Sequence, residues 1–420
     1  MQGAYKRRTK VAVKALHSAN PPKKSAPKGK KKKAALKKNI KKHKEKIASA
    51  VSKHSKKAGE LDRTFLLLTV VLTVIGLIML LSASTPAANI KFGKSYHFFM
   101  RQFFYITLGA FAMLGLSLVD YHRYKKYANV GILIGIGLLV LVLIPHIGIA
   151  RNGSRRWISL GFTDFQPTEL VKFLIALFFA SAISERRYDL NSLKGMSRYG
   201  AWIAVIGGLI MCETHLSGTI VIVGIAVCLL IVGGASWKYI SAGVAALFGA
   251  GAAVVWLLPS RAARITSFWH PFNDPQGKGY QIIQSLYAIG SGGLFGRGLG
   301  QSMQKYSYLP EPYNDFIFSI VSEELGFVGA VFIILLFVGL VIRGMKIAFE
   351  APDAFGMLLV TGVMSQIAIQ AIFNIAVVTS SVPNTGVTLP FFSYGGTAMT
   401  MLLAEMGIVL NVSRQSRKRL

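Results

Sequence analysis

Apolar runs of about 20 residues recur along this chain from residue 65 to residue 413, and they restrict the folds open to it. As a helix, each run is about long enough to cross a ~30 Å hydrocarbon core. Ten can be counted, at about 65–83, 98–119, 127–145, 168–184, 199–214, 216–234, 239–258, 316–342, 355–378 and 392–413. The short fifth run and the tight turn at 214–216 are the weakest parts of that count. In lipid every backbone N–H and C=O must find a partner within the protein, so such segments are helices or strands of a closed barrel. Their continuous apolarity, without the alternation of a barrel strand, selects helices. A 52% hydrophobic content with only 15% charged residues removes the alternative of two or three soluble domains in 420 residues. The expected fold is all-α, a polytopic membrane protein with about ten transmembrane helices.

Charge sets the expected orientation and the domain limits. Residues 1–63 hold 22 of the 48 Lys and Arg against three acids, Glu45, Glu60 and Asp62, so +19 of the net +31 lies there. A basic run of this kind can bind nucleic acid. Joined to a first membrane helix, it more simply marks the cytoplasmic side and can rest on anionic lipid. Pro21-Pro22 and the lysine runs argue for a solvated, disordered arm over 1–62, although 34–58 could form a basic helix on the membrane. The first apolar run starts too late and is too long for a cleavable secretion signal. Ten crossings bring both termini to the cytoplasm, with a transmembrane domain over 63–413 and a basic tail over 414–420. The turns at 120–127, 185–198, 235–238 and 343–354 then carry their Lys and Arg inside. Outside lie 84–97, 146–167, 379–391 and a long connection between the seventh and eighth helices, 259–315. Arg151, Arg155, Arg156, Arg261, Arg264, Lys278, Arg297 and Lys305 are basic groups on that outer side, which suggests an anionic ligand there.

Structureless connections longer than ~12–15 residues are uncommon and usually functional, so chemistry is sought first in 259–315. This stretch ends in Glu311-Pro312-Tyr313-Asn314-Asp315, at the mouth of the eighth apolar run. Partial desolvation there would raise the Asp315 carboxyl toward a useful base, with helix capping as the plainer role. In the same helix Glu323 and Glu324 require at least one interior-facing carboxylate. A second group is Asn152-Gly153-Ser154-Arg155-Arg156-Trp157, leading through Gln166-Pro167-Thr168-Glu169 to Lys172. With Thr168 as expected N-cap, Glu169 and Lys172 share one helix face in the first turn. Arg, Lys and a helix N-terminus together suit a pyrophosphate, or else form an interfacial salt-bridge patch. Glu213-Thr214-His215 could bind sugar, relay protons or simply cap helices. Gln366, Gln370 and Asn374 recur at i, i+4, i+8, for helix–helix hydrogen bonding or a polar cavity. Cys212 and Cys228 sit in apolar runs as small hydrophobes, and no His or Cys spacing implies a metal.

Several of these blocks, in this order, resemble the SEDS family (shape, elongation, division and sporulation), most closely its branch of FtsW and the sporulation relative. They are Asn152-Gly153…Arg156-Trp157-Ile158…Gln166-Pro167…Glu169…Lys172, Arg264-Ile265-Thr266-Ser267-Phe268…Asp274-Pro275…Gly279-Tyr280-Gln281, Tyr308-Leu309-Pro310-Glu311…Asp315-Phe316-Ile317-Phe318…Glu323-Glu324-Leu325-Gly326, and Pro390…Ser393-Tyr394-Gly395-Gly396. The resemblance covers about residues 62–413 and implies a peptidoglycan glycosyltransferase in the bacterial cell membrane, polymerising lipid II at the division septum. It implies Asp315 as the catalytic residue and Arg156, Lys172, Glu169 and Ser393 as substrate-binding residues. Asn314 departs from the Thr common before the aspartate. Glu213-Thr214-His215 replaces the Gln/Glu-Pro-Asp of the elongation branch, so no catalytic carboxylate is carried onto His215. Implied partners are lipid II, the nascent glycan strand, a class B penicillin-binding protein transpeptidase, other division proteins and membrane lipids, with no nucleic acid. No cofactor or metal site is evident, and a divalent cation stays open. The rival readings are a lipid II flippase, which needs polar groups at the midplane, and a non-catalytic division scaffold.

Overall fold

The computed structural model describes residues 59–151, 154–159, 161, 163–257, 268–269, 271–277 and 279–416. The tail read from residues 1–58, residues Asn152, Gly153, Arg261, Arg264 and Lys278, the block at 264–267 and residues 417–420 lie outside the described residues. All ten expected spans are long helices: α1 (Arg63–Phe92), α2 (His97–Leu118), α3 (His122–Leu143), α4 (Pro167–Ser184), α5 (Leu193–Cys212), α6 (Leu216–Val232), α7 (Trp237–Leu257), α9 (Ile317–Glu350), α10 (Ala354–Val378) and α11 (Gly396–Gln415), with α8 (Tyr280–Ser291) between α7 and α9. Eight of these are long and apolar enough to cross a membrane; α6 is apolar but only 17 residues long. The chain is a multi-pass membrane protein.

Burial sorts the helices into a centre and a rim. α4 and α10 are apolar nearly all round and buried on most faces, the signature of a helix inside a bundle. α2 and α3 instead turn Phe111, Leu118, Leu133 and Ile134 outward, where lipid takes the place of protein contacts. At one end of the bundle the Gly59 N–H donates to the Arg414 carbonyl (2.8 Å), and Asp62 pairs with Arg343 (2.8 Å). There, too, the Tyr121 hydroxyl donates to Asp353 (2.8 Å) and the Tyr121 N–H to Asn411 (3.0 Å). The described N-terminal and C-terminal ends therefore share one end, as an even number of crossings requires.

Two features of the opposite end depart from the sequence reading. The segment 146–167 forms a small antiparallel sheet, β1 (Gly148–Arg151), β2 (Ser154–Ser159) and β3 (Asp164–Phe165), in the order β1-β2-β3. The connection 259–315, expected to lack structure, contains α8. Its Ile282, Ile283, Ser285 and Ala288 recur at helical spacing and are buried, while the Ser285 hydroxyl meets Ser319 (2.7 Å) and the Val378 carbonyl (2.7 Å). A short amphipathic helix averages to a polar value in a long hydropathy window, which hid it.

The glycine-rich stretch after α8 meets a break in α9. Gly326 has φ 69° and ψ −170°, outside the helical region, so the ladder loses bonds there. The turn segment 293–298 replaces them: Arg297 and Gly298 N–H groups donate to the Glu323 and Glu324 carbonyls (both 3.0 Å), and Phe327 and Val328 N–H groups donate to the Gly293 (2.9 Å) and Leu294 (3.1 Å) carbonyls. A Cβ on Gly326 would lie 2.2 Å from the Gly296 nitrogen, so this approach needs glycine as well as its positive φ. Glu323 and Glu324, expected with at least one facing inward, are both buried. Glu323 accepts from the Ser302 hydroxyl (2.5 Å) and the Met303 N–H (2.9 Å), and Glu324 pairs with buried Lys305 (2.8 Å). These two carboxylates fasten the loop that leads to residue 315.

Candidate active site

Asp315 lies one residue before the N-cap Phe316 of α9, so the expected capping role falls away. Its backbone is held from the last segment before α11. Asn374 spends both side-chain N–H groups on the carbonyls of Asp315 and Val387 (2.7 Å each). The Ser393 hydroxyl donates to the Asn314 carbonyl (2.7 Å) and accepts from the Leu389 N–H (2.8 Å), and the Tyr394 N–H donates to the Tyr313 carbonyl (2.9 Å). The carboxylate itself faces Gly386, where an added Cβ would sit 3.1 Å from Oδ2. Burial raises the Asp315 carboxyl to about 6; Arg156 opposes that rise and Glu311 adds to it. A carboxyl poised there accepts a proton near neutral pH while remaining largely ionised.

Arg156 and Lys172 line the same cavity, of about 1090 Å³. Alternation along β2 leaves Arg155 exposed and turns Arg156 inward, where its guanidinium donates to the Thr214 carbonyl (2.7 Å). Lys172 is buried on α4 and pairs with Glu169 across one turn (2.8 Å). A buried ammonium with a single carboxylate partner keeps donors for an anionic ligand. Thr168 is not the N-cap expected of it. The cap is Gln166, Pro167 opens α4, and the Thr168 hydroxyl donates to Glu213 (3.1 Å). The cause is tertiary: the buried Glu213 draws the hydroxyl away from the helix end. Burial raises the Glu213 carboxyl to about 8, which keeps its proton on at neutral pH.

One cavity thus joins Asp315, Arg156, Lys172, Glu169 and Ser393. Ser393 contributes by fixing backbone, since its hydroxyl is committed on both sides. The polar stripe of α10 divides its work: Gln366 donates to Glu405 on α11 (3.0 Å), Asn374 anchors residue 315, and Gln366 and Gln370 line the cavity. Two contributors escaped the sequence reading. Gly386 (φ 72°) gives the Asp315 carboxylate its room, and Asn384-Thr385-Gly386 in an outer segment was its only signal. Glu405 is a buried carboxylate within the tenth apolar run, and an ionisable residue in such a run is itself a signal of function. Among the described residues no cluster of three or more His, Cys, Asp or Glu side chains could hold a metal ion.

Comparison with known proteins identifies the family. Residues 62–418 match the FtsW/RodA/SpoVE family, described as cell cycle proteins. Stage V sporulation protein E of Bacillus subtilis (strain 168) is 45% identical over 358 residues, covering 85% of this chain and 98% of the relative. The probable peptidoglycan glycosyltransferase FtsW of Geobacter sp. (strain M18) is 37% identical, covering 85% and 97%. Among solved structures, one described as structural coordination of polymerization and crosslinking by a peptidoglycan synthase complex superposes with a TM-score of 0.71 at 28% identity, covering 84% of this chain and 98% of the other. The rod shape determining protein RodA of Thermus thermophilus gives 0.64 at 26%, covering 86% and 98%. A family match over most of the chain, with relatives covered nearly end to end, means that this protein belongs to the FtsW/RodA/SpoVE family of cell cycle proteins.

Proposed function

We propose that this protein is a peptidoglycan glycosyltransferase that polymerises lipid II on the outer face of the cytoplasmic membrane, with both termini in the cytoplasm. The observation that carries the reading is the cavity that joins a poised carboxylate, Asp315, to the cationic pair Arg156 and Lys172. Asp315 takes the proton from the 4-hydroxyl of the GlcNAc on an incoming lipid II. That oxygen attacks the anomeric carbon of the MurNAc at the reducing end of the growing strand, with inversion. The bond from that carbon to the diphosphate oxygen breaks, and undecaprenyl pyrophosphate leaves with the electron pair. Arg156 and Lys172 stabilise the negative charge gathering on the leaving group, an effect typically worth about 3 kcal/mol per well-placed donor. Glu169 keeps Lys172 oriented, and Ser393 and Asn374 keep Asp315 in place. The mechanism requires no organic cofactor.

The complex named in the solved-structure comparison supports a transpeptidase of the class B penicillin-binding proteins as the partner, and relatives named for division and sporulation support a role at the septum. Incubation of the purified protein and its partner with labelled lipid II tests the reading. Glycan strands longer than the disaccharide are expected. Movement of lipid II across vesicle bilayers without strand formation would instead favour a transporter, which would use the polar wall of Gln366 and Gln370.

A further inference from the structure

The turn between α5 and α6 carries polar groups that the proposed chemistry leaves unused. Glu213, His215 and Ser217 are all more than nine-tenths buried. Each presents a buried side-chain atom without a hydrogen-bond partner: Glu213 Oε1, His215 Nδ1 and Ser217 Oγ. An unsatisfied buried polar atom costs about 1–3 kcal/mol, so those of His215 and Ser217, the two residues on the cavity, favour a ligand there. His215 and Ser217 line the cavity beside Arg156 and Lys172. The turn is also built with care. Thr214 has φ 58°, a conformation unusual for a β-branched residue, and β2 holds it through Arg156 on its carbonyl and Ser154 on its hydroxyl (2.6 Å). Gly218 leaves room for the imidazole, since a Cβ there would lie 2.9 Å from His215 Nδ1.

We propose that His215 is a third diphosphate-binding group, which takes up a proton when a prenyl diphosphate enters between Arg156 and Lys172 and releases it when the diphosphate leaves. The inference rests on the reading of this cavity as a lipid diphosphate site. Burial, then Arg156, then Lys172 hold the imidazole at about 3, so it is neutral in the free protein. A bound diphosphate offsets the two cationic causes and adds an acceptor, and both changes favour the imidazolium. The other acidic groups on this cavity are Glu169, Asp164, Glu311 and Asp315, the other basic ones are Lys91, His97 and Arg101, and Glu213 lies on the turn itself. Glu213 already holds its proton at neutral pH, so it does not compete for the one that His215 takes. A group whose pKa rises on binding makes affinity increase as pH falls. The proton comes from the buffered solvent and returns to it on release, so the exchange balances over a cycle.

Calorimetric titration of the full-length protein with farnesyl diphosphate, in buffers of different ionisation enthalpy near pH 7, reads the protons taken up per ligand. The wild type is expected to take up more protons than His215→Asn or His215→Gln, by about one per ligand at full effect. Those variants keep a polar atom near Nδ1 or Nε2 but cannot ionise, and each should bind about tenfold more weakly, in line with loss of one charge-assisted hydrogen bond. Thermal midpoints identify a variant that fails to fold, and the difference between wild type and the folded His215 variants separates uptake at His215 from uptake at Asp315 on the same cavity. Uptake no greater than the diphosphate's own protonation accounts for would overturn the proposal, as would unchanged affinity and uptake in both folded variants. Arg156→Ala and Lys172→Ala separate the two readings. If they lose binding while the His215 variants do not, only the role of His215 fails. If they retain it, or the wild type does not bind, the diphosphate site itself fails and this inference with it.

Discussion

At the level of single residues, the site depends on a carboxyl held in a poor solvent and on the cation that opposes the effect. Asp315 is raised to about 6, and with this carboxylate as the proposed base turnover should fall as pH drops through that value, when it takes a proton. Arg156 pulls the same carboxyl down, so Arg156→Ala should move this limb to higher pH besides weakening substrate use. A pH profile of kcat/KM for both proteins measures the shift; an unmoved limb would separate Arg156 from Asp315. At Lys172 a buried, single-point ammonium pairs with Glu169 inside α4. Lys172→Arg keeps the charge but brings a planar fork to a site shaped for a point donor, and should recover less than a tenth of wild-type kcat/KM. The residue types at 156, 169, 172 and 315 were legible because charged groups beside apolar runs are rare and costly. What holds them was not. Thr168 serves Glu213 and the Gln166 cap makes no side-chain hydrogen bond to the helix end, and Ser393 serves backbone carbonyl and amide groups; both assignments depend on neighbours that only the fold supplies.

Among the elements, α9 combines a long apolar run with a break that its sequence marks only by Gly326. The run was read as one helix, and periodicity cannot reveal a kink whose missing hydrogen bonds are made by a segment some thirty residues earlier. The glycines at 290–300 are equally visible in the sequence. Gly292 and Gly296 have their purpose in the approach to the broken ladder, where an added Cβ would collide with the Ser322 and Glu324 carbonyls. Gly326→Ala places a Cβ against the Gly296 nitrogen at a φ that alanine avoids, and should destabilise the protein by about 3 kcal/mol or more. Thermal unfolding in detergent checks this, and a midpoint unchanged within error would mean that the clasp is not rigid. The same element shows why α8 was missed: twelve amphipathic residues carry a helical period that only a short window resolves.

Across the whole molecule, ten apolar runs became ten long helices because lipid leaves a backbone little choice, and this was the most legible part of the fold. The three-stranded sheet was illegible, since its strands are 4, 6 and 2 residues long, too short for a period of two to stand out. The chemistry proposed for the bundle involves only residues after 62, so deletion of residues 2–58 should leave turnover of lipid II in detergent within twofold of the full chain. A tenfold loss in a correctly folded truncation would bring the tail into catalysis. Binding of the isolated tail to anionic vesicles should weaken with salt, as screening requires. The most direct test of the account replaces Asp315 by Asn, which keeps the size of the side chain and removes its basicity. Strand synthesis from labelled lipid II, with the partner transpeptidase and equal amounts of folded enzyme, should fall by at least ~10²-fold, the scale of a lost general base. Activity within threefold of wild type would contradict it.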